Sequence, residues 1–482
     1  MAKKQTANDQ LQPIEDEAAF GTVPVVTREK QYRFSDAFFF MGSYAIATWN
    51  YTQGAYIASL VGFKQMLVVT IFGMLFLLLF SQLPVILSTR YGIDIWVWLR
   101  GALGKNGVRV ATVLMVLFNF PWHAIVSELF ASSMENLLAL AGITLPPICH
   151  PILGILCMVL GAIIAFKGIR ALNLATKLIT PLLIVVGFVV IIVGFTSAPP
   201  EVIWNFVPPA VKNGDMTAQI GYILAIDAMF AFNLSWWPGM GGVPRLVKTE
   251  RKGYWANIFG SGFVGSFYVI IGAVMAIAMH YVTGEMETDP TIMLATLAFP
   301  AMALLSLLLV GFANIGTQAS ATYLYALLLK SAFPKANYRV MVWVLCIYIC
   351  ILTVWGKILE YFGVVLTVGA CLYGPLAALL LVDFFIVRKQ KISLRAAFSI
   401  DGNKTYDYFH GFNPVGLVCV AAGFATSLLI CNPITLEVHI PFLFGFTPSL
   451  CACAVTAVLY LIANSIPAIR RYNLRDRDEI TV

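Results

Sequence analysis

The sequence predicts an all-α integral membrane protein with twelve transmembrane helices, and three observations support this fold class. First, the 482 residues are 60% hydrophobic and only 11% charged, as in polytopic membrane proteins. Second, twelve apolar stretches are each long enough to cross a bilayer. Third, lysine and arginine are concentrated in alternate connections between these stretches. The sequence contains no P-loop and no metal-ligand cluster, so neither an enzyme nor an ATP-driven pump is predicted.

The apolar stretches define the predicted spans. They lie near residues 36–61, 65–88, 106–136, 148–166, 172–196, 219–244, 254–282, 301–329, 338–356, 360–387, 414–431 and 446–466.

Charge sets the predicted orientation. With a cytoplasmic N-terminus, 28 of the 31 lysines and arginines fall in cytoplasmic tails and loops, and only Lys64, Lys212 and Lys357 fall elsewhere. The first 33 residues lack the apolar segment of a signal peptide, so both termini are expected in the cytoplasm of a multi-pass protein of the cell membrane. The net charge of +7 therefore reflects membrane orientation, and no nucleic-acid partner is expected. The nine cysteines are expected to be reduced and buried.

Span six contains a stretch that a straight helix cannot accommodate. Residues 232–245 hold three glycines and two prolines, which remove backbone donors and weaken the helix. Lipid cannot hydrogen-bond the groups that a break exposes, so opened backbone at this depth must line a polar cavity. Trp236 and Trp237 stand beside the break as flat walls, which predicts a site for a flat molecule of little or no charge.

Span one carries a polar patch, Trp49 to Gly54, about halfway along its length, and we expect a second break there. Its candidate substrate-binding residues are Trp49, Asn50, Gln53 and Gly54. Two interrupted spans of opposite direction, five apart, predict a five-plus-five inverted repeat. The predicted division is a cytoplasmic N-terminal tail (1–33), a first repeat (34–197), a second repeat (198–388), a cytoplasmic loop with spans eleven and twelve (389–466) and a cytoplasmic C-terminal tail (467–482).

Other polar residues within the spans are candidates for binding or ion coupling. Trp122 in span three suits an aromatic ligand, although a tryptophan in a long helix more often serves packing or anchors the helix at an interface. Asn314 and Gln318 in span eight lie four residues apart on one helical face, where they can read a heterocycle or simply join neighbouring helices. Glu128 and Asp227 are costly inside a membrane unless protonated, paired or hydrated, so they are the candidate ion-coupling groups.

Near the cytoplasmic end of span ten the sequence resembles a known family. The residues that carry the resemblance are Pro375, Asp383 and Arg388, followed by Tyr408, Gly411 and Asn413, together with the Pro-Arg-Leu246 exit from span six and Asn314. This pattern is similar to the nucleobase:cation symporter-1 family of cytosine, purine, uracil, thiamine, allantoin and hydantoin permeases. Asp383, which lies among basic residues, is interpreted as part of a structural ion pair.

The resemblance implies a leucine-transporter-type fold that works by alternating access. It also implies that the ligand stacks between Trp122 and either Trp236 or Trp237, with Asn314 and Gln318 as the family's amides. The chain departs from the family at Val126 and Gly242, where a glutamine and an acid are usual. Sodium-coupled members carry hydroxyl groups where this chain has Phe312 and Ala313, and a hard cation needs about six oxygen ligands.

The predicted function is import of a nucleobase-like heterocycle, with proton symport favoured over sodium symport. Its partners are the small heterocycle, the coupling cation and the lipid bilayer, with no cofactor, no bound metal and no obligate protein partner. The alternative from the same fold is an amino acid or amine symporter. A receptor that binds the same ligand without moving it is a further class, which the lack of an effector domain disfavours.

Overall fold

The structure is a computed structural model that describes residues 23–399, 402–435 and 437–477. Most of the predicted N-terminal tail and the last five residues of the C-terminal tail therefore lie outside the described residues. Helices occur at all twelve predicted positions. They are α1 (Phe34–Ala45 and Thr48–Leu60), α2 (Phe63–Tyr91), α3 (Lys105–Asn119 and Trp122–Leu140), α4 (Cys149–Phe166), α5 (Gly168–Ser197), α6 (Ala218–Ser235), α7 (Glu250–Thr283), α8 (Pro300–Ala332), α9 (Tyr338–Trp355), α10 (Phe362–Val387), α11 (Pro414–Ile430) and α12 (Pro448–Ser465).

Nine of these helices, within the described part of the chain, are long and apolar enough to cross a membrane. The other three are α1, which a break divides, α5, whose described apolar part is Leu183–Ser197, and α11, which has 17 residues. The all-helical membrane fold predicted from the sequence is therefore confirmed. The predicted division into two repeats and three other segments stays a prediction.

The break in α6 lies where the sequence predicts it. The helix ends at Ser235, and only short 3-10 turns, Trp237–Gly239 and Pro244–Leu246, follow before α7 begins at Glu250. Pro238 and Pro244 cannot donate a backbone hydrogen bond, which explains why the α-helix doesn't continue.

The break in α1 lies three residues earlier than predicted. Ile46 and Ala47 leave the helical conformation, with Ala47 extended at φ −102° and ψ 159°. The predicted patch, Trp49 to Gly54, is helical, so its interpretation as opened backbone is wrong. The Asn50 amide donates to the carbonyl of Ala45 at the break. The polar patch thus supplies, through Asn50, a hydrogen-bond donor for a backbone carbonyl next to the break.

A third discontinuity, which the sequence analysis did not predict, interrupts α3. The helix ends at Asn119 and resumes at Trp122, with Phe120 and Pro121 between the two parts. Pro121 lacks the backbone N–H that a continuous helix would need, and its ring crowds the preceding turn. Phe120 and Pro121 keep helical dihedral angles, so α3 is kinked at this point, whereas α1 and α6 are opened.

Helices α1 and α7 pack closely because glycines lie at their contact. A Cβ at Gly54 would fall 2.8 Å from the backbone nitrogen of Ala273 and still closer to the carbonyl of Val269. Gly272 faces the α1 backbone at Tyr51 in the same way. Small residues let transmembrane helices approach closely, which in lipid is a main source of helix association.

On the predicted cytoplasmic side, a buried ionic cluster joins the C-terminal segment to α10. Arg388 contacts Asp383 at 2.8 Å and Asp476 at 2.7 Å, and its guanidinium also donates to the carbonyl of Gly101 at 3.0 Å. The Tyr460 hydroxyl donates to Asp383. The predicted structural ion pair of Asp383 is confirmed, and it holds the connector between α2 and α3 against the end of the chain.

Candidate substrate site

A cavity lies where the discontinuities of α1, α3 and α6 meet. In the described conformation the free space inside it holds about one water molecule. A ring can therefore occupy the cavity only after its walls have moved apart. Four helices line it, with Tyr44 and Trp49 from α1, Asn119, Trp122 and His123 from α3, Phe232, Ser235 and Trp236 from the end of α6, and Tyr325 from α8.

The aromatic walls contact each other edge to face. The Trp49 ring is nearly perpendicular to Trp122, at 6.2 Å between centroids, and to Trp236, at 5.8 Å. The centroid of the Phe232 ring lies 5.8 Å from the ring centroids of both Trp122 and Trp236. The rings thus divide the cavity into crevices, and a flat ligand enters between Trp122 and Trp236 only if the helices that carry them separate.

The two tryptophans at the α6 break have different surroundings. Trp236 lines the cavity, whereas Trp237 is completely buried against Trp96 of the α2–α3 connector, with ring centroids 5.6 Å apart. The Trp96 indole also donates to the carbonyl of Pro238 at 3.0 Å. The sequence left open which tryptophan faces a ligand, and of the two it is Trp236 that faces the cavity.

The polar residues of α1 other than Trp49 do not line the cavity. Asn50 bonds to the break itself, and Gln53 donates to the carbonyl of Ala228 on α6 at 3.4 Å. Gly54 packs against the backbone of α7. These residues therefore join α1 to its neighbours in the described conformation.

The two amides of α8 are likewise engaged with other helices. The Asn314 oxygen accepts a hydrogen bond from the Thr48 hydroxyl at 2.9 Å, just after the α1 break. The Gln318 amide donates to the carbonyl of His123 at 2.6 Å and to the Ser127 hydroxyl at 2.8 Å. Tyr325, two turns further along α8, is the residue of this helix that faces the cavity.

Neither candidate coupling acid lines the cavity. Glu128 accepts hydrogen bonds from the backbone N–H groups of Ile358 at 3.3 Å and Leu359 at 3.1 Å, in the turn between α9 and α10. Asp227 accepts one from the N–H of Ser449 at 3.0 Å, at the start of α12. Both carboxyl groups therefore hold the end of another helix or turn.

No aspartate, glutamate, lysine or arginine lines the cavity, and its lining includes one histidine, His123. In the described ranges, no three His, Cys, Asp or Glu side chains converge as a metal site would require. The lining therefore consists of aromatic rings and polar side chains that carry no permanent charge.

Sequence reasoning missed several lining residues. Six residues that were not predicted as site residues line the cavity, namely Tyr44, Asn119, His123, Phe232, Ser235 and Tyr325. One usable signal was Pro121, which marks a discontinuity in an apolar span and thus places Asn119 beside exposed backbone. Tyr325 carries no such signal, because a tyrosine in an apolar helix is common in packing.

Comparison with known proteins identifies the family to which the chain belongs. The family model described as "Permease for cytosine/purines, uracil, thiamine, allantoin" matches residues 23–451. A purine-uracil permease of Arabidopsis thaliana is 21% identical over 70% of this chain, and the match covers 58% of its length, less than two thirds. A hydantoin permease of Microbacterium maritypicum is 25% identical, over 73% of this chain and 72% of its own.

Among solved structures, the fold is similar to that of Mhp1, a nucleobase-cation-symport-1 family transporter, in a closed conformation with bromovinylhydantoin bound. The TM-score is 0.73 at 20% identity, covering 96% of this chain and 99% of that one. Such a likeness shows the fold, and the family model shows the family, since it spans most of the chain. The protein therefore belongs to the family of permeases for cytosine/purines, uracil, thiamine and allantoin, the nucleobase:cation symporter-1 family, whose members are transporters and not enzymes.

Proposed function

We propose that this protein is a secondary transporter that carries a flat, uncharged heterocycle across the cell membrane, with Trp122 and Trp236 enclosing the ring. The observation that supports the proposal most directly is the aromatic cavity at the meeting point of three interrupted helices. Each aromatic pair that forms with a ligand contributes about 0.5–1.5 kcal/mol beyond the area it buries. Hydrogen bonds at the ring edge then decide which heterocycle is accepted.

The uncharged lining favours this ligand class over the rival amino acid or amine. An amine needs a buried acid beside it. Asp227, the acid that the sequence suggested for this role, instead accepts a hydrogen bond from Ser449 on α12. Related permeases are described as carrying purines and uracil or hydantoin. A neutral nucleobase-like ring fits both the lining and the relatives.

Transport requires the aromatic walls to separate and close again. In the proposed cycle the ligand enters from outside, separates Trp122 from Trp236, and leaves when the helices rock and open the cytoplasmic side. The Trp49 ring contacts both Trp122 of α3 and Trp236 of α6. A movement of either helix would therefore change the contacts of Trp49. Both termini are proposed to be cytoplasmic.

We propose proton coupling, with sodium coupling as the less favoured possibility. Where sodium-coupled relatives carry hydroxyl groups, Phe312 is 53% exposed on the outside of the bundle and Ala313 offers no side-chain oxygen. The nearby oxygens of Thr48 and Asn314 are bonded to each other. The side chains at this corner therefore present few free oxygens to a hard cation.

Glu128 is the favoured coupling group, with Asp227 as the other candidate. Its carboxylate accepts two N–H groups of the outer turn between α9 and α10, and protonation removes acceptor capacity from that contact. Proton binding would thus loosen the turn. Glu128→Gln should make uptake independent of an imposed pH gradient, while Glu285→Gln, at an exposed position, should not. Uptake by the Glu128→Gln variant that still follows the pH gradient would exclude Glu128, and sodium-dependent, pH-insensitive uptake by the native protein would exclude proton coupling.

Counterflow in vesicles tests the transport proposal. Purified protein is reconstituted and loaded with unlabelled uracil, hydantoin, hypoxanthine, cytosine or thiamine, and entry of the same labelled compound is measured. Accelerated exchange with at least one heterocycle is expected. Binding without exchange would indicate a receptor, and exchange with amino acids alone would contradict the proposed substrate class.

A further inference from the structure

Asn119, a residue that lines the cavity, has an unpaired hydrogen-bond acceptor. Its amide nitrogen donates to the carbonyl of Ser235 at 2.9 Å, at the end of α6, and to the hydroxyl of Tyr325 at 2.5 Å on α8. Both donors of this side chain are thereby used. The Oδ1 atom is buried and has no hydrogen-bond partner within the described part of the chain.

The orientation of this amide follows from its neighbours. In the reverse orientation, Oδ1 would face the carbonyl oxygen of Ser235, and two acceptors would then oppose each other without a proton between them. The unpaired atom of Asn119 is therefore its oxygen, which is an acceptor. An acceptor buried without a partner is costly, and most such atoms in proteins are satisfied, so this one calls for an explanation.

Other residues that line the cavity also carry unpaired polar atoms. The indole nitrogens of Trp49, Trp122 and Trp236 are buried and make no hydrogen bond to any described residue, and the same is true of Nδ1 of His123. An indole N–H can only donate. The residues around this one cavity therefore carry an unpaired amide oxygen and three unpaired indole donors.

We propose that Asn119 is a specificity-determining residue that selects rings bearing an N–H group beside a carbonyl, the edge found in cyclic amides and imides. The ring N–H donates to Asn119 Oδ1, and a ring carbonyl accepts from the indole of Trp49 or Trp236. This inference rests on the proposed function and narrows its substrate class. It assigns recognition of the polar edge of the ring to α3, because Asn119 lines the cavity and the α8 amides of Asn314 and Gln318 do not.

Asn119 also ties α3 to α6, so the test must separate recognition from structure. N-methylation of the ligand removes the proposed donor without altering the protein. The probes are uracil, hydantoin and hypoxanthine, each compared with its ring-N-methyl derivatives as competitors of counterflow. The native protein should prefer an unmethylated ring over its least effective N-methyl derivative by about tenfold or more, because one hydrogen bond is lost and a buried acceptor is left unpaired.

Three variants complete the experiment. Asn119→Ala should reduce this preference to within about threefold, since the acceptor is gone. Asn119→Asp keeps an acceptor and loses both donors, so it should keep the preference even if overall transport falls. Asn233→Ala is the matched control, because Asn233 is a buried amide of α6 that bonds to Ser81 and Met74 and does not line the cavity. It should leave the preference unchanged.

The outcomes distinguish this inference from the proposed function. A preference that persists in Asn119→Ala, or is absent in the native protein while heterocycles still exchange, would overturn the role of Asn119 and leave the transport proposal intact. If Asn119→Ala does not fold, loss of the preference in Asn119→Asp would overturn it equally. If no heterocycle exchanges and only amino acids do, the proposed function fails first.

Discussion

Trp236 and Trp237 are adjacent in sequence but have separate environments at the α6 break. The Trp236 ring contacts Tyr44 at 4.9 Å and Trp49 at 5.8 Å within the cavity. The Trp237 ring packs on Trp96, outside the cavity, and is completely buried. The break in α6 thus directs one indole to the ligand site and the next one into the contact with the α2–α3 connector.

Because of this difference, substitution by alanine should affect transport at Trp236 and stability at Trp237. Trp236→Ala should abolish or strongly reduce heterocycle uptake with a small change in thermal stability, because it removes a wall of the cavity. Trp237→Ala should instead lower the free energy of unfolding by about 3–5 kcal/mol, since a large core side chain is lost. Uptake in vesicles and thermal unfolding in detergent measure the two effects. Equal losses of uptake at unchanged stability in both variants would contradict the assignment.

The comparison of the α1 and α6 breaks shows what sequence can locate. The α6 break was predicted correctly because Pro238 and Pro244 exclude a continuous helix by covalent geometry. The α1 break at Ile46 and Ala47 contains neither glycine nor proline, so no local signal marks it. The polar residue that the sequence does show, Asn50, is the group that bonds to the opened backbone.

The same limit applies to the site residues. Trp49, Trp122 and Trp236 were candidates from sequence, and they line the cavity together. Whether the amides at Asn314 and Gln318 face a ligand or a neighbouring helix depends on the rotation of α8 about its own axis relative to α1 and α3. Contacts between segments that are distant in sequence set this rotation. The pattern of apolar residues along α8 alone therefore does not predict it.

The hydrogen bond between Thr48 and Asn314 predicts a coupled effect on transport. Thr48→Val and Asn314→Ala should each lower uptake by about fivefold, the equivalent of one hydrogen bond of ~1 kcal/mol. The double variant should be no worse than either single one, because both remove the same contact. Thr353→Val is the control, since that buried hydroxyl bonds to its own helix at Ile349. Strictly additive losses would mean that Asn314 acts independently of Thr48, as a ligand-binding residue would.

The buried cluster at Arg388 predicts a large effect on stability. Asp476→Ala removes a partner that contacts Arg388 at 2.7 Å and accepts from the Tyr406 hydroxyl, so a buried charge loses part of its compensation. A loss on the order of 3 kcal/mol in unfolding free energy is expected. Asp407→Ala breaks the partly exposed pair with Lys105 and should cost less than ~1 kcal/mol. Thermal unfolding of both variants in one detergent measures the difference, and similar losses would show that the cluster is not a stabilising contact.

Asp94, in the connector between α2 and α3, predicts a pH-dependent stability. Burial raises the pKa of this carboxyl to about 6, although the Trp96 N–H and the charge of Arg245 act in the opposite direction. Because the folded-state pKa exceeds the unfolded value of about 4, stability should fall as pH rises from about 4 to 6 and stay level above that. Asp94→Asn keeps the N-cap oxygen and should be more stable than the native protein above pH 6, by on the order of 2 kcal/mol.

The measurement for Asp94 is the difference in melting temperature between the variant and the native protein at pH 4, 5 and 7. This difference should be near zero at pH 4 and grow towards pH 7. A difference that is the same at all three values would indicate that the carboxyl does not titrate in this range.

The central claim is that a flat heterocycle binds in the cavity between Trp122 and Trp236. The most direct test is a thermal-shift screen of the purified native protein and Trp122→Ala against nucleobases, hydantoins, allantoin, thiamine and amino acids, with and without sodium and at two pH values. A ligand at about one hundred times its Kd should stabilise the native protein by about 2.7 kcal/mol. The expected result is a shift with at least one heterocycle that Trp122→Ala does not show. Stabilisation by amino acids alone, or an equal shift in both proteins, would contradict the site.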